Sequence, residues 1–147
     1  MTKQSASASV EVATDPAAAF HLFTAEIDLW WVRGPINFFD ANRAIGMQIE
    51  PGVGGRVLEI YRYADPTTAE DVLELGQITA WEPGALFAYR SSVDDTEVEI
   101  RFEPTETGTR VSVEQVLTAG GTKAFYFWPN VIGWYVDHTA QQSSPRR

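Results

Sequence analysis

A chain of 147 residues, 44 % hydrophobic and 21 % charged, fits one globular domain. Eleven Lys and Arg against twenty Asp and Glu leave a formal charge of -9. That charge repels nucleic-acid phosphates and anionic membranes, and no basic stripe offsets it locally. The absence of Cys excludes disulfides, thiolate catalysis and zinc–thiolate sites. No apolar run approaches the roughly 18 residues of a membrane span. Residues 1–9 are polar and lack the apolar core of a signal peptide, so a cytoplasmic location is expected.

Residues 1–8 are small and polar and read as a loose arm. A short strand follows over 9–13, with Val10 and Val12 on one face. Asp15 is placed to cap a helix, and Pro16 suits its first position. Phe20, Phe23 and Ile27 continue into Trp30 and Trp31 as one buried stripe, which predicts two short helices or one bent one. Residues 32–43 have no clear period and form a loop anchored by Phe38 and Phe39. After a short strand at 47–50, Pro51-Gly52-Val53-Gly54-Gly55 makes a tight turn. It precedes a strand and lacks the Lys and following helix of a phosphate-binding loop.

Strands are then predicted at about 56–63, 72–81, 86–91, 97–103 and 110–117, separated by Asp65-Pro66, Glu82-Pro83-Gly84, Asp94-Asp95 and Thr107-Gly108. Val98, Ile100 and Phe102 alternate with Glu97, Glu99 and Arg101, and Val111, Val113 and Leu117 alternate with Arg110, Ser112 and Glu114. Such half-polar strands belong to an antiparallel sheet with one wet face, and the dry face needs a cover. The cover is predicted over 122–141, where Phe125, Trp128, Ile132, Tyr135 and Val136 lie at helical spacing and Pro129 imposes a kink or restart. The domain is set at 9–141, with flexible tails at 1–8 and 142–147.

This order resembles the helix-grip fold of the START-like (SRPBCC) superfamily. Within it, the chain is similar to the family named after the heat-shock-protein-90 ATPase activator homologue, as a bacterial single-domain member. The carrying residues are Asp15-Pro16 with Phe20 and Phe23, Trp30-Trp31, and Glu50-Pro51-Gly52-Val53-Gly54-Gly55-Arg56. They continue with Gly76-Gln77-Ile78, Trp81-Glu82-Pro83, Gly108-Thr109-Arg110-Val111 and Gly133-Trp134. The resemblance covers about residues 9 to 140. It implies an α+β fold: a curved antiparallel sheet of about six or seven strands wrapped on a long C-terminal helix, with two short helices after the first strand. It also implies a cavity between sheet and helix for apolar molecules. The cochaperone activity in the family's name is not expected, because nothing here corresponds to the activators' separate N-terminal domain.

Five Trp, five Tyr and eight Phe are many rings for one core, and a ring-lined cavity is one reading of them. For any single ring, plain core packing is the simpler reading. The expected ligand-binding residues are Trp30, Trp31, Phe38, Tyr61, Phe87, Tyr89, Gln115, Phe125, Trp128 and Ile132. Gln115 falls in the inward series Val111, Val113, Gln115, Leu117, so its amide needs a partner: a ligand, a neighbouring strand or water. Glu59 alternates with Val57 and Tyr61, and Glu74 with Val72, Gly76 and Ile78. Either is a weak candidate for an acid or base in the cavity, against the reading of a solvated carboxylate at a strand edge. His21 is expected to face solvent, and His138 to lie near a helix end where a cation suits the dipole. No metal and no cofactor are expected.

Three functions follow. The first is binding of a small hydrophobic or aromatic molecule. The second is a cyclase- or hydrolase-like enzyme using a buried carboxyl. The third is a protein-interaction module. The expected partner is a small apolar ligand rather than nucleic acid or a membrane, and a homodimer is left open.

Overall fold

The computed structural model describes residues 5–31, 44–61, 72–123 and 128–143. The first strand, β1 (Ser5–Val12), leads into α1 (Pro16–Thr24) and a single helical turn, α2 (Ile27–Trp30). Asp15 caps α1 by accepting the Ala18 N–H at 2.8 Å, and Pro16 opens the helix where its missing N–H costs nothing. Six strands follow: β2 (Ala44–Ile49), β3 (Arg56–Tyr61), β4 (Val72–Glu82), β5 (Leu86–Ser91), β6 (Thr96–Pro104) and β7 (Thr109–Leu117). The closing helix is α3 (Trp128–Ser143).

All seven strands join one sheet in the order β1-β7-β6-β5-β4-β3-β2, and every neighbouring pair is antiparallel. The strands from β2 to β7 form a meander, and β1 returns to pair with β7. The turns at Pro51–Gly55, Pro83–Gly84 and Thr107–Gly108 connect antiparallel neighbours, as expected. Gly84 sits at φ 81°, a left-handed conformation that a side chain resists. At the mouth of the β2–β3 hairpin, Arg56 grips Glu50 through two side-chain hydrogen bonds of 2.8 and 2.9 Å. That side-chain bond holds the Glu50 carboxyl below its usual range.

The sheet curls around α3 as a half-barrel. Its inner face carries Val12, Met47, Ile49, Val57, Ile78, Phe87, Tyr89, Val98, Ile100, Phe102, Val111 and Val113, which form one core with Ile132 and Tyr135 of α3. The last helix thus packs on the concave side. Each large apolar side chain buried this way contributes about 1.5–3 kcal/mol.

Two sequence expectations need correction. The strand predicted at 9–13 begins at Ser5, and Ser5 already pairs with Val116. Small Ser and Ala side chains give no alternating apolar signal, yet their backbone completes the ladder. The C-terminal helix is described over Trp128–Ser143, and Thr122 and Lys123, where it was expected to begin, are not helical. Asp95 explains part of this, because its Oδ2 accepts the N–H groups of both Thr122 and Lys123 at 3.0 Å. Those two bonds tie the segment to the β5–β6 turn and depress the Asp95 carboxyl. Pro129 is the second residue of the described helix.

Candidate functional site

The concave face has two chemically different ends. One is packed with rings. Phe23 lies edge-on to Tyr135, Phe102 and Phe87 at centroid distances of 4.9, 5.8 and 6.2 Å. Phe20 packs edge-on to Trp81 at 5.0 Å, and Trp30 contacts Phe23 and Tyr135 at 5.2 and 5.6 Å. The polar atoms of these rings are used locally. Tyr135 donates its hydroxyl to the Ala19 carbonyl at 2.8 Å, and Trp30 shares its N–H between the Leu22 and Phe23 carbonyls at 3.2 Å. Burial pushes the Tyr135 phenol well above its ordinary range. Trp31 reaches α3 by an edge contact with Trp134 at 5.7 Å.

The other end carries polar groups where an apolar face would be expected. On β3, Val57, Glu59 and Tyr61 share the inner side, and Glu59 stands between Met47 of β2 and Leu73 of β4. The Glu59 residue is only 1 % exposed, and the Tyr61 hydroxyl donates to its Oε2. A carboxyl and a phenol two residues apart on a strand point the same way, so the bond follows from the pleat.

Across the sheet, Gln115 is equally buried, flanked in register by Ala6 and Val98. Its Nε2 donates to Thr96 Oγ1 at 3.2 Å, and the Thr96 hydroxyl donates to Asp94 Oδ1 at 2.6 Å. The amide is therefore held by a relay that ends at the β5–β6 turn. Tyr89 lies in the same cross-strand row, between Ile78 and Val98. Its ring covers Gly76, where an added Cβ would stand 2.4 Å from Tyr89 Cδ2.

Glu74 is not part of this end. The β3–β4 ladder pairs Val57 with Gly76 but Leu58 with Glu74, so Leu75 is an extra residue and the alternation breaks there. Glu74 shares the outer face with Leu58, and Ser92 donates to its Oε2 at 2.7 Å. Of the expected ligand-binding residues, Trp30, Trp31, Phe87, Tyr89 and Ile132 belong to the common core, and Tyr61 and Gln115 are buried beside it. Phe38 and Phe125 lie outside the described residues, as does the side chain of Trp128.

Sequence reasoning missed the contact between α2 and α3. His138 is buried, and its Nε2 lies 2.9 Å from Glu26 Oε1. The exposed His21 stands 3.7 Å from the other oxygen of Glu26. No spacing rule links residues 112 apart in sequence, so only the folded chain reveals this pair. It also missed Asp28, which accepts the Met47 N–H at 3.0 Å and docks α2 on β2 beside Gly46.

Charge is sorted by face. Among the described residues the cationic side chains are Arg56, Arg90, Arg101, Arg110 and Lys123, and none of them is buried. The four Arg residues alternate onto the outer side of their strands. A hollow of about 520 Å³ also opens on that outer side, lined by Ser7, Ser9, Glu99, Arg101, Ser112 and Glu114. Ala8 and Val113 add apolar surface to this lining. No described helix is long and apolar enough to cross a membrane.

No protein-family model matches the chain, and no curated protein matches it. Solved structures do. An AHSA1-like protein from Aeromonas hydrophila is 16 % identical over 98 % of this chain and 99 % of its own, with a TM-score of 0.65. A protein from Nitrosomonas europaea is 14 % identical over 94 % and 95 %, at 0.63. The KanY protein is 16 % identical over 97 % and 98 %, at 0.54. At these identities the likeness is one of fold: the chain has the helix-grip architecture of an AHSA1-like protein.

Proposed function

We propose that this chain is a START-like protein that binds a small hydrophobic or aromatic molecule between the inner face of its sheet and α3. The observation that carries the reading is the polar end of the concave face. Glu59 with Tyr61, and Gln115 with Thr96, are buried where Val and Ile would build a better core. Burying such groups costs stability unless they are bonded, and even bonded they bring less than apolar packing. A few polar groups set in an apolar, ring-rich concavity is the composition of small-molecule sites. The AHSA1-like fold supports the same reading.

An environment-sensitive apolar dye tests it. Saturable dye binding with quenching of Trp fluorescence is expected, and a fatty alcohol should displace the dye. A protein that neither binds such dyes nor changes its Trp emission on adding apolar compounds has a filled concavity, and the reading fails.

The enzymatic alternative keeps one favouring observation, the inward Glu59 bonded to Tyr61. Glu59→Gln separates the two readings. A catalytic acid or base leaves binding largely intact and abolishes turnover, whereas a recognition group loses binding.

A further inference from the structure

The sheet has two edges, and the chain treats them differently. β2 is short, its ladder with β3 slips between Ala44 and Gly46, and its Met47 N–H is taken by Asp28 of α2 at 3.0 Å. Bulges and covering helices are common means of closing an edge. β1 has neither. It pairs with β7 over eight residues without a register shift, and it holds no Pro, Lys or Arg. Which of its amides face outward follows from the β6–β7 hairpin. Thr105 N–H bonds the Gly108 carbonyl at 2.9 Å, and on the other side of β6 the Phe102 N–H bonds the Ala85 carbonyl at 2.8 Å. Bonded and non-bonded pairs alternate along an antiparallel ladder, so Arg110, Ser112, Glu114 and Val116 bond toward β6. Thr109, Val111, Val113 and Gln115 then bond toward β1, where they meet Val12, Val10, Ala8 and Ala6. The N–H and C=O groups of Ser5, Ser7, Ser9 and Glu11 are left facing outward at the edge. The side chains agree: Ser9 Oγ lies 3.2 Å from Ser112 Oγ, and Arg110 lies 3.2 Å from Glu11, the close approach of non-bonded pairs. All four edge residues are exposed, and among the described residues no group bonds their outward amides.

We infer that β1 is the contact surface for a second copy of this chain, which adds its own β1 antiparallel across a two-fold axis at Ala8. That axis sets Ser5 opposite Glu11, and Ser7 opposite Ser9, of the second copy, so each outward N–H meets a carbonyl. Serine and alanine side chains let the two backbones reach ladder distance. The one charge, Glu11, faces a serine and keeps its Arg110 partner. On the inner side Ala8 and Val10, half-buried against the core, gain cover from their counterparts. The edge does not suit a foreign peptide. Selecting an extended peptide takes pockets or charges beside the edge, and Ser5, Ser7 and Ser9 supply neither. A single strand pair buries less than a standard interface, and each chain carries a net charge of -9, so the dimer is weak and tightens with salt. It closes at two copies, since α2 blocks the β2 edge.

Sedimentation of the full chain across a wide concentration range tests this, with a parallel series at raised NaCl. The mass should rise from one chain to two, and at lower protein concentration in high salt. Ser7→Pro removes an outward N–H that the β1–β7 ladder does not use, so the monomer should keep its fold. In the dimer it deletes a bond from each copy and orphans the facing carbonyls, which should weaken association about a hundredfold. Amide hydrogen exchange gives a second readout that needs no variant: the Ser7 and Ser9 amides should exchange more slowly as the dimer fills. Should Ser7→Pro not fold, that readout decides. A chain that stays monomeric at the highest concentration overturns the inference, whether or not it captures extended peptides. So does a dimer that persists undiminished in a folded Ser7→Pro, or one whose Ser7 and Ser9 amides exchange at the monomer rate. Growth beyond two copies overturns it as well, and so does weakening by salt, which would assign the contact to ion pairs. The ligand-binding reading survives each of these outcomes, because it does not involve the β1 edge.

Discussion

The two ends of the concave face use the same strands for different purposes. At the ring end, Phe20, Phe23, Trp30, Phe87, Phe102 and Tyr135 interlock, and each polar atom finds a nearby backbone carbonyl. At the other end, Glu59, Tyr61, Thr96 and Gln115 occupy inward positions that a core-building sequence would fill with Val or Ile. The difference teaches where stability and recognition divide: the first end holds α1, α2 and α3 on the sheet, and the second gives up some packing for chemistry.

That division predicts unequal responses to substitution. Phe23, fully buried among four rings, should be the most costly to remove. Phe23→Ala is expected to cost about 3–5 kcal/mol in urea-induced unfolding. A loss below about 1 kcal/mol would mean the ring end is not the core.

Gly76→Ala sharpens the boundary between the ends. The new methyl would meet Tyr89 Cδ2 at 2.4 Å and the Arg90 carbonyl at 2.9 Å. If Tyr89 is tightly held, the variant loses about 1–3 kcal/mol. A negligible loss in thermal melts would show that the ring has free space to swing into.

Gln115→Met tests the polar end and should have the smallest effect on folding. Thr96 keeps its bond to Asp94 in the variant, and a residue of similar volume fills the site. Stability within about 0.5 kcal/mol of wild type, or above it, is expected, with weaker dye binding. A loss as large as that of Phe23→Ala would place Gln115 in the structural core and break the comparison.

Much of this division was legible in the sequence, and the failures have local causes. Regular alternation carried Gln115 inward, because β6 and β7 pair without a register shift from Thr96 to Pro104. The same logic placed Glu59 beside Val57 and Tyr61, and β3 keeps its period there. It misplaced Glu74, because one extra residue in β4 flips every side chain on one side of the bulge. Bulges leave no reliable mark in a strand's composition. Thr122 and Lys123 were misread as helix because Asp95 claims their amides from a distant turn. The start of β1 was misread because Ser and Ala pair by backbone alone. The clamp of Glu26 on His138 had no local signal at all.

The central claim is that the polar end of the concave face receives the ligand. Titrating isotope-labelled protein with dodecanol and following its amide resonances tests it directly. The account predicts saturable shifts along β3, β4 and the end of β7, around Glu59, Tyr61, Gly76 and Gln115, with α1 around Phe20 and Phe23 little changed. Shifts confined to the outer hollow around Ser9, Glu99 and Ser112, or no saturable shift anywhere, would contradict it.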